Sequence, residues 1–402
     1  MSVRRRKWTK KDGTIKETWL VDYTDQNGKR HAKAFAKKKD ADAFASTTHV
    51  EVRGNVHIAD SNTITVKEAG ELWIARAKQE LERGTVVQYR QHLDLHIAPF
   101  IGGVKLSKIT VPFVRQFMDQ LKENGRSPAM VRGVRTSLGS ILSEAQDRGF
   151  AIRNAVRDMS GKRGTTADKR RKKKLEYGVD IPTREEIQKL IRAAEGRFRP
   201  LLITAIFTGL RSSELRGLRW ADVDLTKKKL RVTQRADSYH TIGMPKSEKG
   251  QRSVPLPPMA VNALKEWKLQ CPKGEKKLDL VFPNTLGNIE AHGNIIRSGL
   301  HPTMLAAGVT VDTGKVNLKG EPILAPKYTG LHSLRHWFAS WCINRVEDGG
   351  LGLPSKVVQE RLGHSTIVMT LDTYGHLFPT QDDDQALERA ERALMAPVAS
   401  AT

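Results

Sequence analysis

Residues 358–376 read Val358-Gln-Glu-Arg-Leu-Gly-His-Ser-Thr-Ile-Val-Met-Thr-Leu-Asp-Thr-Tyr-Gly-His376. This stretch places His364 ten residues before Tyr374. An unbroken helix between them would separate their Cα atoms by about 15 Å, because each helical residue rises about 1.5 Å. One site can use both side chains only if the chain bends or breaks between them. We expect that break near residues 371–373.

Three other segments of the same region carry polar side chains at helical or turn spacing. Thr-Gly-Leu-Arg-Ser-Ser-Glu-Leu places Arg211 and Glu214 three residues apart, hence on one face of a helix. Leu-His-Ser-Leu-Arg-His places His332 and Arg335 in the same relation. The third segment, Pro-Lys-Ser-Glu-Lys-Gly-Gln-Arg-Ser-Val-Pro-Leu, offers Lys246 at a turn between two strands.

Together these groups suit chemistry on a phosphodiester. Two guanidiniums can bracket its non-bridging oxygens, each through two hydrogen bonds. A phenol attacks phosphorus once a neighbour accepts its proton, and a lysine can protonate the leaving alkoxide. Histidines can relay protons or donate to the developing charge. Because no cluster of carboxylates suited to Mg²⁺ accompanies these groups, the pattern favours a covalent phosphotransfer without metal or cofactor.

Each pattern taken alone also has a structural interpretation. Arg211 alone is typical of an arginine that lies at a helix cap and forms a salt bridge. A His-x-x-Arg pair on a helix stabilises the fold as often as it serves a functional site. His364 could cap a helix that begins at Ser365. Lys249 and Lys229 lie near the same strands as the lysine of the turn. The joint occurrence of all the patterns, in this order, favours the functional interpretation.

The region from 181 to 388 resembles the catalytic domain of the tyrosine recombinases of the phage-integrase type. The likeness rests on Thr-Gly-Leu-Arg-x-x-Glu-Leu, His-x-x-Arg, Leu-Gly-His and the final tyrosine, in that order. The resemblance implies a role for each residue: phosphate binding by Arg211 and Arg335, nucleophilic attack by Tyr374, general-acid catalysis by Lys246, proton relay by His332, phosphate hydrogen bonding by His364 and orientation of the site by Glu214.

Composition supports a polyanionic partner. The 402 residues include 68 Lys+Arg and 44 Asp+Glu, a net charge of +24, which points to nucleic acid. Two cysteines cannot build a disulfide framework, so we expect a reducing compartment. The chain opens without an apolar signal region, and the run 201–207 is too short to cross a bilayer. We therefore expect a protein that is neither exported nor membrane-spanning, and the resemblance implies that it acts on DNA in the bacterial cytoplasm.

The first 55 residues form a small basic unit, with 14 Lys+Arg against seven Asp+Glu. Trp19, Val21 and Tyr23 alternate as in a strand, and the pattern predicts three strands followed by a helix from about Asp40. A sheet of this kind can lie in a DNA major groove. Residues 1–55 resemble the arm-binding domain of some integrases, and the alternative is a solvated accessory fold. The candidate DNA contacts at its start are Arg4, Arg5 and Arg6.

The remaining segments connect and complete these units. Helical periodicity across 64–156 predicts a compact helical domain that resembles the core-binding domain of the family. Residues 157–180 form a basic linker, a solvated hinge or a phosphate-contacting one, whose candidate DNA contacts are Lys169, Arg170 and Arg171. The catalytic domain, 181–388, begins with a capping box of Thr183 and Glu186, contains strands near 230–234 and 252–256, and precedes a tail, 389–402.

The predicted fold is multidomain and mainly α with small β elements: a three-stranded sheet plus helix, a helical domain, and an α-rich catalytic domain with a small sheet. The predicted function is site-specific DNA recombination through a 3′-phosphotyrosyl intermediate, by an integrase of a phage or other mobile element. The resemblance implies DNA attachment sites and a homotetramer on DNA as partners, with a directionality factor and a DNA-bending protein as further candidates. The alternatives are a type IB topoisomerase and a non-catalytic DNA-binding regulator.

Overall fold

The computed structural model describes residues 1–9, 15–25, 28–54, 63–159, 174–245, 247–274, 278–378, 388, 391–392 and 394–395. The chain divides into two compact units, Met1–Ala167 and Asp168–Thr402. The finer domain boundaries expected from the sequence stay predictions.

The N-terminal residues form an antiparallel sheet of three strands, in the order β1-β2-β3, covered by a helix. Val21 and Tyr23 of β2 pack on Ala41 and Ala45 of the helix, as the alternation of that strand predicts. The helix begins two residues before the expected start. The bounds are β1 Ser2–Thr9, β2 Ile15–Thr24, β3 Arg30–Phe35 and α1 Lys38–Arg53.

The rest of the first unit is helical. Its core joins Trp73, Leu93, Phe117 and Leu138, which come from four of the segments with helical periodicity. Thr65 caps the first of these helices and forms a capping box. The helices are α2 Val66–Glu80, α3 Arg83–Gln91, which continues as a π-helical turn over His92–Ile97, α4 Ala98–Ile101, α5 Val111–Glu123, α6 Pro128–Asp147 and α7 Ala155–Asp158.

The second unit is a helical bundle with small sheets. Its core surrounds the apolar helix Arg199–Thr208, whose side chains are buried on nearly every face. The helices are α8 Arg184–Ala193, α9 Arg199–Thr208, α10 Ser212–Gly217, α11 Pro258–Gln270, α12 His292–Asn294, α13 His301–Ala306, α14 His332–Ile343, α15 Ser355–Leu362 and α16 Ile367–Tyr374. The strands are β4 Val223–Asp224, β5 Lys229–Val232, β6 Arg235–Ala236, β7 Ile242–Gly243, β8 Arg252–Pro255, β9 Thr310–Val316 and β10 Pro322–Pro326.

Two predicted features of this unit are confirmed, and three strand pairs, among them that of β4 with β5, were not foreseen. Thr183 and Glu186 form the predicted capping box, and β5 pairs with β8 in a sheet of order β4-β5-β8. The hairpin of β9 and β10 is an addition to the expected architecture, as is the pair of β6 and β7. The second strand of the β9–β10 hairpin begins and ends with proline and has no fully buried residue, so it lacks the usual sequence pattern of a strand.

The break between His364 and Tyr374 exists, but its expected place is wrong. Helix α16 runs without interruption through residues 371–373. The break lies earlier, because Gly363 ends α15 in a left-handed conformation, with φ of +63°, and Thr366 caps the start of α16. The histidine therefore sits in the turn between two helices.

Several predicted residues lie outside the described part of the chain. They are Lys246, Lys169, Arg170, Arg171 and most of the tail from 389 to 402. Among the residues that the structure describes, no helix has the length and apolar character needed to span a bilayer.

Candidate active site

Three arginines converge on the C-terminal end of helix α15. The last carbonyls of a helix have no partner within it and carry partial negative charge. Three consecutive carbonyls here each accept a hydrogen bond from a different guanidinium, in this order: Arg361 from Arg252 at 2.8 Å, Leu362 from Arg335 at 2.6 Å and Gly363 from Arg211 at 3.2 Å. Cationic groups thus fix the helix end immediately before His364.

Glu214 joins two of these arginines. Its carboxylate, 3% exposed, accepts two hydrogen bonds from Arg252, at 3.1 and 2.8 Å, and one from the Arg211 side chain at 2.9 Å. Burial alone would raise the pKa of Glu214, but the hydrogen bonds and charge of Arg252, with the charge of Arg211, outweigh it and lower the pKa to about 2. The carboxylate is ionised at neutral pH. We call Arg211, Glu214, Arg252 and Arg335 the arginine cluster.

Arg335 is the most deeply buried member of the arginine cluster, with 2% of its surface exposed. Its Nη1 donates to the carbonyl of Gly209 at 2.7 Å. Gly209 ends α9 with φ of +59°, and a Cβ there would lie 2.4 Å from Phe338, so the turn requires glycine. Burial and the nearby charge of Arg211 lower the pKa of Arg335 to about 9. A guanidinium carries five N–H donors, so Arg335 retains donors for a further ligand beyond its two hydrogen bonds to carbonyls.

Tyr374 ends helix α16 beside these arginines and is 1% exposed. Its phenol oxygen lies 2.7 Å from Nδ1 of His336. Burial raises the pKa of Tyr374 to about 12 against the opposing effect of Arg335 and Arg211. The phenol is therefore neutral and hydrogen-bonded.

His364 faces the same tyrosine. The two rings are parallel, with centroids 6.3 Å apart. Nδ1 of His364 lies 2.9 Å from the hydroxyl of Thr370. Burial, followed by the charges of the arginine cluster, lowers the pKa of His364 to about 4. We call Tyr374, His336, His364 and Thr370 the tyrosine cluster.

His332 begins helix α14, and its side chain is exposed. Its ring packs edge-on against the ring of His336, with centroids 4.6 Å apart. Partial loss of hydration, then the charges of Arg335 and Arg211, lower the pKa of His332. The structure therefore brings together five of the six side chains predicted to be catalytic, and the supporting Glu214 with them.

Lys246, the sixth, lies outside the described residues, although the chain on both sides of it is described. Lys249, an alternative candidate for the catalytic lysine, donates a hydrogen bond to the carbonyl of Ser365 at 2.9 Å. Lys229 lies on strand β5. Among the described residues, no group of three or more His, Cys, Asp or Glu side chains is arranged to hold a metal ion.

Three residues of the site were missed by sequence reasoning. His336 lies four residues after His332, so helical spacing alone would have placed both rings on one face. Thr370 lies six residues after its partner His364, and the chain turns between them, whereas the turn was expected from the sequence near residues 371–373. Arg252 bonds to groups 38 and 109 residues away, and no local pattern signals contacts of that kind.

The candidate DNA contacts of the N-terminal sheet are exposed, and two of them have acidic partners. Arg4 pairs with Asp22 at 2.7 Å, and Arg5 pairs with Glu17. The guanidinium of Arg6 lies 6.0 Å from the ring of Trp8. Because strands alternate, Arg4, Arg6 and Trp8 point away from the helix that covers the sheet.

Comparison with known proteins finds relatives that match most of the chain. A protein of Caldanaerobacter subterraneus subsp. tengcongensis named tyrosine recombinase XerC-like is 28% identical over 91% of this chain and 94% of its own length. The ICEBs1 integrase of Bacillus subtilis is 25% identical over 73% of this chain and 74% of its own length.

Solved structures share the fold. The integrase of transposon Tn1549, in complex with a circular intermediate DNA, matches with a TM-score of 0.61 and 18% identity over 82% of this chain and 100% of the solved one. A lambda integrase dimer bound to a core site matches with a TM-score of 0.52 and 17% identity, over 91% of this chain and 93% of the solved one. The predicted fold class is confirmed.

Two family matches cover more than half of the chain. Residues 182–381 match the Phage integrase family, and residues 65–122 match the Phage integrase, N-terminal SAM-like domain. Other relatives are named prophage integrase IntR, of Escherichia coli, and transposase from transposon Tn916, of Enterococcus faecalis. The predicted enzyme class, site-specific DNA recombination, is confirmed, and the chain belongs to the tyrosine recombinases of the phage-integrase family.

Proposed function

We propose that this protein cuts and rejoins DNA at attachment sites through a covalent link between Tyr374 and a 3′-phosphate, and so inserts a phage or other mobile element into a chromosome and releases it. The observation that carries the proposal is the arginine cluster fixed on three consecutive carbonyls, next to a buried, hydrogen-bonded tyrosine. Such a site places positive charge beside a nucleophile, which is what stabilisation of the charge developing at a phosphodiester requires.

Arg211 and Arg335 bind the scissile phosphate. Each donates to a backbone carbonyl, which fixes the plane of its guanidinium before DNA arrives. The remaining N–H groups donate to the non-bridging oxygens and neutralise the charge that develops at phosphorus. Glu214 orients Arg211 through the hydrogen bond between their side chains. His364, held by Thr370, adds a hydrogen bond to the phosphate.

The chemical step exchanges one ester for another. A bond forms between Tyr374 Oη and phosphorus, while the bond from phosphorus to the 5′-oxygen breaks. Lys246 gives its proton to the leaving oxygen, and His332 relays protons at the edge of the site. The ester keeps the energy of the broken bond, so a 5′-hydroxyl from a partner duplex attacks it and restores the backbone without ATP.

The N-terminal sheet binds a second class of DNA site, of the arm type. Arg4 and Arg6 of β1 lie on the face of the sheet that the helix leaves uncovered, and the strand register places Arg30 of β3 on the same face. Phosphate contacts of this kind give affinity that falls steeply with salt. In the basic linker, the proposed phosphate contacts are Lys169, Arg170 and Arg171.

Recombination requires several protomers on two duplexes, and we propose a homotetramer. A lambda integrase tetramer bound to a Holliday junction supports this arrangement, with a TM-score of 0.51. A directionality factor and a DNA-bending protein complete the proposed assembly, which acts on DNA in the bacterial cytoplasm.

The test is a suicide-substrate assay. An attachment site, found by selecting DNA fragments that the protein binds, is nicked so that the released strand diffuses away and the covalent link persists. Reactions with EDTA are analysed on a denaturing gel. We expect an adduct with the wild type and none with Tyr374→Phe, which should still bind DNA. An adduct that survives Tyr374→Phe, or no adduct from a tightly bound site, would contradict the proposal.

A second assay separates recombination from topoisomerase action. Two labelled duplexes carrying the site are mixed with the protein, and strand exchange between them is followed. A recombinase joins strands from different duplexes. Relaxation of supercoils without any exchange would favour the topoisomerase.

A further inference from the structure

The phenol of Tyr374 has a specific partner in the free protein. Its oxygen lies 2.7 Å from Nδ1 of His336, a distance typical of a hydrogen bond. The two rings meet edge to face, with centroids 5.7 Å apart. The phenol can donate here when His336 carries its proton on Nε2, because Nδ1 is then an acceptor.

The surroundings of His336 keep its ring neutral. His332, one turn earlier on the same helix, packs against it, and Arg335 precedes it in sequence. Burial, followed by His332 and Arg335, lowers the pKa of His336 to about 4, while Asp180 acts in the opposite direction. A neutral imidazole next to a neutral phenol is the arrangement that general-base catalysis requires.

We infer that His336 is a catalytic residue that accepts the proton of Tyr374 as the phenol attacks phosphorus. The inference deepens the proposed function and rests on it. It adds His336 to the catalytic set Arg211, Lys246, His332, Arg335, His364 and Tyr374. In this role His336 takes the proton of the nucleophile and does not protonate the leaving group.

The proton balance is complete within the site. As the bond between Tyr374 Oη and phosphorus forms, the phenol proton moves to Nδ1, and His336 becomes an imidazolium. The negative charge of the bound phosphate favours this cation. The 5′-oxygen leaves with a proton from Lys246. In strand joining the imidazolium returns its proton to the phenol oxygen as the phosphotyrosyl bond breaks.

The first experiment compares single-turnover adduct formation by the wild type, His336→Asn and His376→Asn. Asparagine places a polar atom near the position of Nδ1 but takes up no proton at neutral pH. Loss of a general base slows a reaction by about 10²-fold or more, so we expect that loss for His336→Asn with unchanged DNA binding. His376 is a matched control, because its ring faces the carbonyl of Leu175, and His376→Asn should react at the wild-type rate.

The second experiment replaces the leaving group. In a substrate with sulfur at the bridging 5′-position, the departing thiolate needs no proton. This substrate should restore Lys246→Met, which lacks the general acid, but not His336→Asn. Site-specific incorporation of difluorotyrosine at position 374 has the complementary effect, because a more acidic phenol depends less on a base. That change should shrink the defect of His336→Asn.

Each result bears on one claim. If the wild type itself forms no adduct, the proposed function fails. If the wild type reacts and His336→Asn reacts equally fast, only the role of His336 fails. A faster reaction in His336→Asn would also overturn the inference, because the hydrogen bond would then restrain the tyrosine. A slow variant that the thiol leaving group restores, or whose defect difluorotyrosine leaves unchanged, would likewise contradict the role in accepting the phenol proton.

Discussion

The arginine cluster and the tyrosine cluster share one helix junction, but they are stabilised by different forces. The arginine cluster holds three cations and one carboxylate, of which all but Arg211 are buried, and its members bond to each other or to backbone carbonyls. The tyrosine cluster holds neutral rings and hydroxyls joined by single hydrogen bonds. The arginine cluster is therefore expected to contribute more to stability than the tyrosine cluster, in addition to the phosphate binding proposed for Arg211 and Arg335.

Glu214→Gln should have the largest effect on stability, because it removes the carboxylate that neutralises Arg211 and Arg252. Breaking a buried ion pair from one side costs about 3 to 5 kcal/mol. The control is Glu360→Gln, which removes an exposed partner of Lys356 and should cost under about 1 kcal/mol. Urea unfolding of both variants measures the difference. Equal costs would mean that the arginine cluster is not a stabilising unit.

Gly363→Ala should cause the next-largest loss of stability. Gly363 has φ of +63°, and a Cβ there would lie 2.9 Å from Nη1 of Arg252. The control Gly308→Ala shares the left-handed backbone, with φ of +65°, but a Cβ there meets nothing within 4 Å. Backbone strain costs each variant about 1 to 2 kcal/mol, and the contact adds to this only at Gly363. A thermal-unfolding comparison that finds equal losses would exclude the steric contribution.

Acid should weaken the two clusters in separate pH windows. His336 and His364 ordinarily titrate at 6.5, and burial lowers the pKa of each to about 4. The unfolded chain binds their protons first, so stability falls as the pH drops from 6.5 to about 4. The pKa of Glu214 falls from 4.5 to about 2, so its contribution is complete above 4.5 and is lost as the pH drops toward 2.

Urea midpoints measured across this range test the assignment. Each titrating group contributes a slope of up to about 1.4 kcal/mol per pH unit. His364→Asn should flatten the slope between pH 6.5 and 4 and leave the lower window unchanged. A slope in the upper window that is identical in wild type and variant would assign it to other groups.

Thr370→Val should have the smallest effect. It replaces the fully buried hydroxyl beside His364 with a methyl group of similar size. Loss of one neutral hydrogen bond costs about 1 kcal/mol. Adduct formation should slow modestly, since the His364 ring loses its restraint. A loss of activity as large as that of Tyr374→Phe would show that Thr370 does more than position the ring.

Sequence reasoning correctly predicted elements that are marked by signals within a few residues of each other. The capping box of Thr183 and Glu186 and the alternation of β2 depend on spacings of two or three residues, and both are confirmed. The break before Tyr374 also had a local signal, Gly363 followed by a capping Thr366. The prediction looked for a bend close to the tyrosine instead, and so misplaced it.

Other features depend on contacts that no window of sequence contains. Arg252 belongs to the site because the sheet brings β8 to helix α15, and the chain shows only an arginine in a strand. The hairpin of β9 and β10 packs few side chains, so no burial pattern marks it. The pairing of Tyr374 with His336 likewise joins two residues that lie 38 positions apart in sequence, on different helices.

Identification of the tyrosine that carries DNA tests the central claim most directly. The chain contains six tyrosines, and the covalent adduct can be digested and its nucleotide-bearing peptide sequenced by mass spectrometry. We predict that the nucleotide is attached to Tyr374 through a 3′-phosphate. Attachment at another tyrosine, such as the buried Tyr328, or through a 5′-phosphate, would contradict the proposed site.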